Sequence, residues 1–231
     1  MHDENSLQQA LTSLVPSALL EWQQIPGTEI EGFLLNSDSG SKPLDDVVAR
    51  QVMDAPPFWS LLWPAGFLLC RLLASHPSLV EGRNCVDLGC GSGLLSVAIA
   101  QAGGGVLAAD SDLLSRSVTD LHLRRHRLAG TVTCRWEEST ETLFLADFLY
   151  DESNLSDLAT FSQRTEEIVI VDCRLETLSV EGFRPLGQRE EQAFPDLDPH
   201  REFGLVRVWY KGPRLGEWSR ALKGLESPFI G

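Results

Sequence analysis

Three glycines alternate with other residues immediately after a short apolar run, in the segment Val86–Gly93. Glycine is needed where the backbone turns sharply and a ligand must approach it closely. Gly89, Gly91 and Gly93 follow a G-x-G-x-G spacing, whereas a dinucleotide site has G-x-G-x-x-G because its pyrophosphate docks on a helix N-terminus. Asp87 precedes the turn, and a carboxylate there suits a cationic ligand better than a pyrophosphate. The motif therefore favours S-adenosylmethionine, an adenosine that carries a sulfonium cation and an amino-acid tail.

A second acidic residue supports this prediction. Asp110 ends the next apolar run, seventeen residues after Gly93. An acid at about 20 residues beyond the glycines is placed to accept hydrogen bonds from the two ribose hydroxyls. Two alternatives stay open: a domain of the same fold whose pocket is idle or altered, and an enzyme that uses a nicotinamide cofactor.

Aromatic residues flank these motifs on both sides. Trp59 and Trp63 precede the first strand, where they form either a core pair beneath a helix or a wall against the cofactor. Trp136 could stack on the adenine ring, and Glu137 could accept a hydrogen bond from the adenine amino group.

The clearest candidates for chemistry are Asp147 and Tyr150, in the sequence Ala146–Asp151. Ligands of open α/β sheets lie beyond the carboxyl ends of the strands, and Asp147 follows four apolar residues at such an end. It could orient an amine through an N–H hydrogen bond while Tyr150 walls the approach of the amine. The alternatives are a helix N-cap for Asp147 and a packed aromatic ring for Tyr150.

Other polar residues are weaker candidates. His122 and His126 have the i, i+4 spacing of a helical metal pair, but they lie among Arg124, Arg125 and Arg127. This composition favours a solvated basic helix face, and we expect no metal site.

Strands and helices alternate along the region that carries these motifs. Such alternation predicts an α/β, Rossmann-like fold, in which helices cover both faces of a mostly parallel seven-strand sheet. Two late strands, at 183–186 and 205–210, are expected to form an antiparallel pair at the sheet edge. The other predicted strands are 85–88, 106–109, 131–136, 143–146 and 168–171, and the predicted helices are 65–75, 94–102 and 113–128. Residues 1–54 are expected to form a helical extension followed by a polar loop at 36–46.

Composition narrows the class of protein. The chain has 231 residues, 43% of them hydrophobic and 23% charged, which are ordinary globular values. The net charge of −14 gives no general electrostatic reason to bind nucleic acid or anionic lipid and favours a basic protein face as partner. The five cysteines form no C-x-x-C pair, and the apolar stretches are interrupted by charges. These features predict a protein of the reducing cytoplasm that has no disulfide framework and no membrane span.

The motifs together resemble the class I, seven-strand S-adenosylmethionine-dependent methyltransferases. Within this class the chain is most similar to the protein lysine methyltransferases that carry D-x-x-Y after the fourth strand, nearest to the subgroup that acts on the β subunit of electron transfer flavoprotein. The resemblance rests on four segments: Pro57–Gly66, Val86–Gly93, Ala109–Asp112 and Asp147–Tyr150. The glycine motif is shared by many methyltransferases, whereas the Trp-Pro segment together with D-x-x-Y is more specific.

The resemblance implies a function and roles for individual residues. Residues 55–231 would form the methyltransferase domain. Asp87, Gly89, Gly91 and Asp110 would bind the cofactor, and Asp147 and Tyr150 would serve a target lysine. The chain reads Val-Asp-Cys-Arg over 171–174, where the subgroup has Gly-Asp-Pro-Gly-Arg. Two other functions stay open on the same fold: a methyltransferase for a small molecule or another protein nitrogen, and a non-catalytic module that binds the cofactor.

Overall fold

A computed structural model describes residues 3–40, 44–149, 152–196 and 204–225. A seven-stranded sheet lies at its centre, with the strand order β5-β4-β3-β6-β7-β9-β8. The strands are β3 (Asn84–Leu88), β4 (Gly105–Ala109), β5 (Thr131–Thr133), β6 (Thr140–Ala146), β7 (Thr165–Asp172), β8 (Arg184–Glu190) and β9 (Leu205–Lys211). The first five of these are parallel to one another, and β9 pairs antiparallel with both β7 and β8. The predicted fold class, including the antiparallel edge pair, is confirmed.

The inner strands β3, β4, β6 and β7 read as mainly apolar runs because both of their faces are largely buried. On β6, Phe144 belongs to a core cluster with helices on one side of the sheet, while Leu143 and Leu145 belong to a cluster on the other side. The first cluster packs against α3 (Pro64–Ser75), α4 (Leu94–Gln101) and α8 (Leu215–Gly224). The second includes residues of α7 (Leu158–Arg164), which follows the short helix α6 (Glu152–Ser156).

The N-terminal segment contains a β-hairpin that the sequence analysis did not predict. Helix α1 (Glu4–Leu14) is followed by β1 (Leu20–Gln24) and β2 (Glu31–Leu35), which pair antiparallel, and then by α2 (Asp46–Asp54). A Pro-Gly pair at 26–27 lies in the connection between the strands and is a turn signal that could have indicated them.

The hairpin and α1 pack on the rest of the molecule through a third apolar cluster. Phe33 of the hairpin and Leu11 of α1 share that cluster with Trp59 and with Val118 of α5 (Leu113–Arg125). Residues from both sides of the predicted boundary at residue 54 therefore contribute to one core. Among the described helices, none has the length and apolar character needed to span a bilayer.

Candidate cofactor and catalytic site

A cavity of about 590 Å³ opens at the carboxyl ends of the parallel strands. This is the edge at which open α/β sheets bind their ligands. The glycine turn after β3 forms one side of the cavity, and Asp110 and Asp147 come from the ends of β4 and β6. Aromatic side chains provide apolar wall: Phe58, Trp63, Trp136, Phe148 and Phe161. The topology thus brings the predicted acidic residues to one place.

The glycine turn leaves room for a ligand against its backbone. Gly89 and Gly91 both have left-handed backbone conformations, with φ of +74° and +53°. A side chain at Gly89 would collide with the Phe148 ring, because its Cβ would lie 2.6 Å from that ring. At Gly91 the nearest atoms would be two carbonyl oxygens at 3.9 Å, so the space that a side chain would fill is open. The left-handed backbone favours glycine at both positions. At Gly91 the open space lies next to the carbonyl of Phe58, a residue that lines the cavity.

Gly93 has a different role from the one predicted. It is the N-cap of α4, and a Cβ there would lie 2.2 Å from the Thr119 hydroxyl oxygen of α5. It is not among the residues that line the cavity. Gly93 allows α5 to approach the turn closely, and the prediction that it contacts the cofactor is corrected to a packing role.

Asp87 lies at the base of the cavity and is 2% exposed. The Ser96 hydroxyl donates a hydrogen bond of 2.6 Å to its carboxylate. Burial raises the pKa of Asp87 to about 7, against the opposing effect of this hydrogen bond. A buried carboxylate with such a pKa gains from a cationic ligand, whose charge would favour the ionised form.

Asp110 is tied to the turn that precedes it. Its Oδ2 accepts a hydrogen bond of 2.9 Å from the Gly91 N–H, and its Oδ1 accepts one of 2.9 Å from the Asp112 N–H. Each carboxylate oxygen has a second acceptor site. The side chain can therefore hold the backbone of the turn and accept hydrogen bonds from a diol at the same time.

The two tryptophans before α3 have separate environments. Trp63 lines the cavity, and its indole N–H donates to the Phe58 carbonyl at 3.1 Å. Trp59 is 2% exposed and belongs to the apolar cluster under α1 and the hairpin. Its prediction as a cofactor-binding residue is corrected, because its ring is a core side chain.

The segment after β5 differs from the prediction because the strand ends at Thr133. Trp136 lines the cavity as predicted, and its ring packs on Phe161 with centroids 5.7 Å apart. The Glu137 side chain is 69% exposed and forms an ion pair of 3.6 Å with Arg135. It does not line the cavity, whereas Arg135 does, so the predicted contact between Glu137 and adenine is corrected.

Asp147 has a left-handed backbone conformation, uncommon for a residue other than glycine, with φ of +48°. Its Oδ2 accepts a hydrogen bond of 2.9 Å from the Ala65 N–H in the first turn of α3, and its Oδ1 accepts one of 3.3 Å from the Cys173 N–H. Burial of the carboxyl, with Asp172 nearby, raises its pKa to about 6. The side chain lines the cavity beside Trp63 and is mostly ionised at neutral pH. Its partner in the motif, Tyr150, lies outside the described residues.

Asp172 and Cys173 lie close to Asp147, and their potential ligand atoms all fall within 4.8 Å of one another. The Asp172 carboxylate accepts hydrogen bonds from the main-chain N–H groups of Leu149, Arg174 and Leu175. These contacts organise the loops after β6 and β7. They fix the Asp172 carboxylate in place near Asp147.

The environment of His122 is also different from the prediction. His122 is 0% exposed, so it does not belong to a solvated basic face. Helical periodicity could have shown this, because His122 falls on the same face of α5 as the buried Ser115 and Thr119. The aromatic residues Phe58, Phe148 and Phe161 line the cavity but were not predicted to do so.

The residues of the cavity fit S-adenosylmethionine. Apolar rings suit the adenine, and the Asp110 carboxylate suits the ribose diol. The opening at Gly91 accommodates close approach of the ligand, and the buried Asp87 suits its cationic end.

Comparisons with known proteins agree with this site. No family model matches the chain. A Xenopus laevis electron transfer flavoprotein beta subunit lysine methyltransferase is 32% identical in an alignment of 170 residues that covers 62% of this chain and 67% of that protein. The Danio rerio protein of the same name is 32% identical in an alignment of 108 residues that covers 42% of this chain and 40% of that protein. A 16S rRNA methyltransferase of T. thermophilus, solved with AdoMet and guanosine, has the same fold with a TM-score of 0.54 and 16% identity, over 85% of this chain and 51% of that one.

Fold, cavity and relatives together define a class I, S-adenosylmethionine-dependent methyltransferase. Within that class, the chain belongs to the family of the electron transfer flavoprotein beta subunit lysine methyltransferases. The match covers two thirds of the Xenopus laevis protein but only 40% of the Danio rerio one. The predicted resemblance and the predicted cofactor are confirmed.

The raised pKa of Asp87 predicts that cofactor affinity depends on pH. Because the pKa of Asp87 is about 7, the carboxyl gains a proton as the pH falls below neutrality and loses its attraction for a cation. We expect the Kd for S-adenosylmethionine to rise roughly tenfold from about pH 7.5 to about pH 6. Calorimetric titrations across this range would measure the change. The Asp87→Asn variant is the control, because it should bind more weakly with a flat pH profile. An equally steep profile in that variant would assign the effect to another group.

Proposed function

We propose that this protein methylates the side-chain nitrogen of a lysine in a protein substrate. The observation that carries the proposal is Asp147, an acceptor-only carboxylate fixed at the cavity by the main-chain N–H groups of Ala65 and Cys173. Membership of a lysine methyltransferase family supports the type of acceptor. When bound, S-adenosylmethionine supplies an electrophilic methyl group to the amine nitrogen.

The chain itself supplies alignment and electrostatics. Asp110 and the glycine turn would hold the adenosine part, and Asp87 would favour the cationic part. The Asp147 carboxylate keeps an acceptor site after its two main-chain hydrogen bonds and its hydrogen bond with the Cys173 side chain. That site would accept an N–H of the incoming lysine and hold its nitrogen in line with the reacting carbon. Tyr150 remains a prediction for the wall of the lysine channel.

Trp63 would restrict the approach to Asp147. Its ring packs edge-on against Phe58, with centroids 5.5 Å apart, and both rings line the cavity. An apolar wall suits the aliphatic stem of a lysine and leaves its nitrogen free to meet the carboxylate.

The first protein to test is the electron transfer flavoprotein β subunit, for which the relatives are named. The purified enzyme should transfer label from S-adenosylmethionine to this subunit, or to another protein in a lysate of the same source. Mass spectrometry should then locate the methyl group on a lysine. Labelling of RNA or of small molecules without protein labelling would contradict the proposal. Labelled protein that lacks methyl-lysine would contradict the choice of acceptor.

The acidic surface predicts that substrate binding depends on salt. With a net charge of −14, the enzyme should attract a basic protein face, and salt screens that attraction. We expect the apparent KM for a confirmed protein substrate to rise about threefold or more between about 0.05 and 0.3 M salt. The Kd for S-adenosylhomocysteine, measured in the same buffers, should change much less. A KM that does not respond to salt would restrict the acidic surface to a role in solubility.

The cellular compartment is part of the same proposal. All five cysteines are unpaired, and three of them are buried. Buried free thiols are compatible with a reducing environment, which supports a cytoplasmic location.

A further inference from the structure

His122 links three parts of the molecule that are far apart in the sequence. It lies on α5, and one of its ring nitrogens contacts the glycine turn while the other contacts the N-terminal hairpin. The Nδ1 atom is 2.8 Å from the Ser92 carbonyl oxygen, and the Nε2 atom is 2.7 Å from the Phe33 main-chain nitrogen.

The two contacts fix the hydrogen position on the ring. The Phe33 N–H can only donate, so Nε2 accepts its hydrogen. The Ser92 carbonyl can only accept, so Nδ1 carries the ring hydrogen and donates it. Burial lowers the pKa of His122 to about 4, and the ring is therefore neutral at physiological pH. A single tautomer satisfies both buried main-chain groups.

The Ser92 carbonyl belongs to the part of the turn that faces the cofactor cavity. The preceding residue, Gly91, donates its N–H to Asp110, and both Gly91 and Ser92 line the cavity. Helix α5 contacts the turn at a second point through Thr119, whose hydroxyl lies 3.3 Å from the Cys90 sulfur. His122 and Thr119 thus hold the turn against α5 from one helix face.

The hairpin contact makes this support dependent on the N-terminal segment. Strand β2 packs closely on the helix that follows the turn, since a side chain at Gly32 would lie 2.8 Å from the Leu94 side chain. On the exposed side, Arg125 forms an ion pair of 2.9 Å with Glu31, and its guanidinium lies 4.8 Å from the Trp22 ring centroid. The Trp22 ring also packs edge-on against His122, with centroids 5.5 Å apart.

We propose that His122 is a positioning residue for the cofactor site, through which the N-terminal hairpin holds the glycine turn in its binding conformation. The proposal rests on the cofactor part of the proposed function and does not depend on the identity of the methyl acceptor. The N-terminal segment before residue 54 would then contribute to cofactor affinity. The sequence alone does not suggest this role, because the segment is far from the binding motifs along the chain.

His126 provides a matched control. It lies one turn further along α5 and contacts the hairpin through the Glu31 carbonyl, 2.8 Å from its Nε2. Among the hydrogen bonds of the described residues, none joins His126 to the glycine turn. Loss of His126 therefore weakens the attachment of the hairpin, but the Ser92 carbonyl keeps its hydrogen bond from His122.

The test measures S-adenosylhomocysteine binding by calorimetry, with thermal melts for each variant. His122→Phe keeps a ring of similar size but removes both hydrogen bonds, and we expect its Kd to rise roughly tenfold. His126→Phe should keep a Kd within about threefold of wild type, even if its Tm also falls. Equal weakening by both variants, or unchanged binding by a folded His122→Phe protein, would overturn the proposal.

Two shorter substitutions keep the test decisive if His122→Phe does not fold. The amide nitrogen of His122→Asn occupies about the place of Nδ1 and can donate to Ser92, whereas the amide oxygen of His122→Gln can replace only the Nε2 acceptor. Each variant keeps one of the two links and breaks the other, so we expect both to bind several times more weakly than wild type. Binding within about threefold of wild type by a folded asparagine variant would refute the role of the hairpin, and the same result for a folded glutamine variant would refute the hold on the glycine turn. Because no methyl acceptor is used, a failure of lysine methylation would leave this result unaffected.

Discussion

The Asp110→Ala variant should bind S-adenosylhomocysteine about fivefold to 150-fold more weakly than the wild type. This range corresponds to roughly 1–3 kcal/mol, the scale of leaving buried polar groups without their partners. The substitution removes the acceptor of the Gly91 and Asp112 N–H groups, so the glycine turn loses a tie to β4. It also removes the group that would bind the ribose diol. Both losses act on the cofactor.

Calorimetry on folded protein would measure this effect. Asp120→Ala is a suitable control because it removes one negative charge from the surface of α5, where Asp120 pairs only with Arg124 among the ion pairs of the described residues. The control should bind within about threefold of wild type. NAD should show little affinity for the wild type. Tight NAD binding without S-adenosylhomocysteine binding would contradict the assignment of the cavity, and unchanged binding by Asp110→Ala would contradict the role of that residue.

The parallel sheet could be predicted because its strands carry a strong local signal. A strand buried on both faces is apolar along most of its length, and Leu143, Phe144 and Leu145 show this directly. The first polar residue after such a run marks the carboxyl end of the strand. For this reason Asp110 and Asp147 could be placed at one edge before the fold was seen.

Residues whose roles depend on packing between distant segments could not be assigned in the same way. Nothing near Trp59 in the sequence shows that α1 and the hairpin cover it. The spacing of the glycines groups Gly93 with Gly89 and Gly91, but the close approach of Thr119 is a property of the folded chain. The arginines beside His122 favour a solvated face, although His122 lies on the buried face of its helix.

Short elements were also missed or misplaced. The strand β5 is only three residues long, so the chain turns away before Glu137 and carries that side chain into solvent. Strand β1 is largely polar and only partly buried, and β2 is buried but has only three large apolar residues, Phe33–Leu35, so the apolar signal of each strand is short. Their pairing and their attachment to α5 involve residues far apart in the chain.

Asp147 is the residue on which the proposed chemistry depends most. Replacing it with alanine should lower the rate of methyl transfer about a hundredfold or more, the usual scale for losing a positioned catalytic group. The contact with the amine belongs to the transition state more than to cofactor binding. The Kd for S-adenosylhomocysteine should therefore stay within about threefold, or roughly 0.6 kcal/mol.

A slower rate in Asp147→Ala could also result from loss of stability, and a second variant tests this explanation. Asp147 accepts the Ala65 N–H in the first turn of α3, so its removal also weakens a helix terminus, at a typical cost of about 1 kcal/mol. Asp45→Ala removes a comparable cap, because Asp45 accepts the N–H groups of Val47 and Val48 at the start of α2. Asp45 does not line the cavity, and its loss should lower the Tm without changing the rate of methyl transfer.

Asp147→Asn tests the charge separately from the shape. Asparagine tolerates the left-handed backbone at φ of +48° and keeps one acceptor oxygen. Its amide hydrogens, however, must face either the Ala65 N–H or the Cys173 N–H, and it cannot attract a cationic amine. In the wild type the single-turnover rate should fall as the pH drops through about 6, because Asp147 has a pKa of about 6 and becomes protonated there. The asparagine variant should be slow and should lack this step.

These measurements separate a catalytic carboxylate from a helix cap. A catalytic Asp147 predicts slow transfer in both variants, near-normal cofactor binding, and a fast Asp45→Ala control. If Asp147 serves only as a helix cap, Asp147→Ala and Asp45→Ala should lose similar stability and both should keep the wild-type rate of methyl transfer. If folded Asp147→Ala protein methylates its substrate at the wild-type rate, the carboxylate serves only α3 and the loop after β7. The lysine would then have to be aligned by residues beyond this aspartate, and the proposed mechanism would lose its main support.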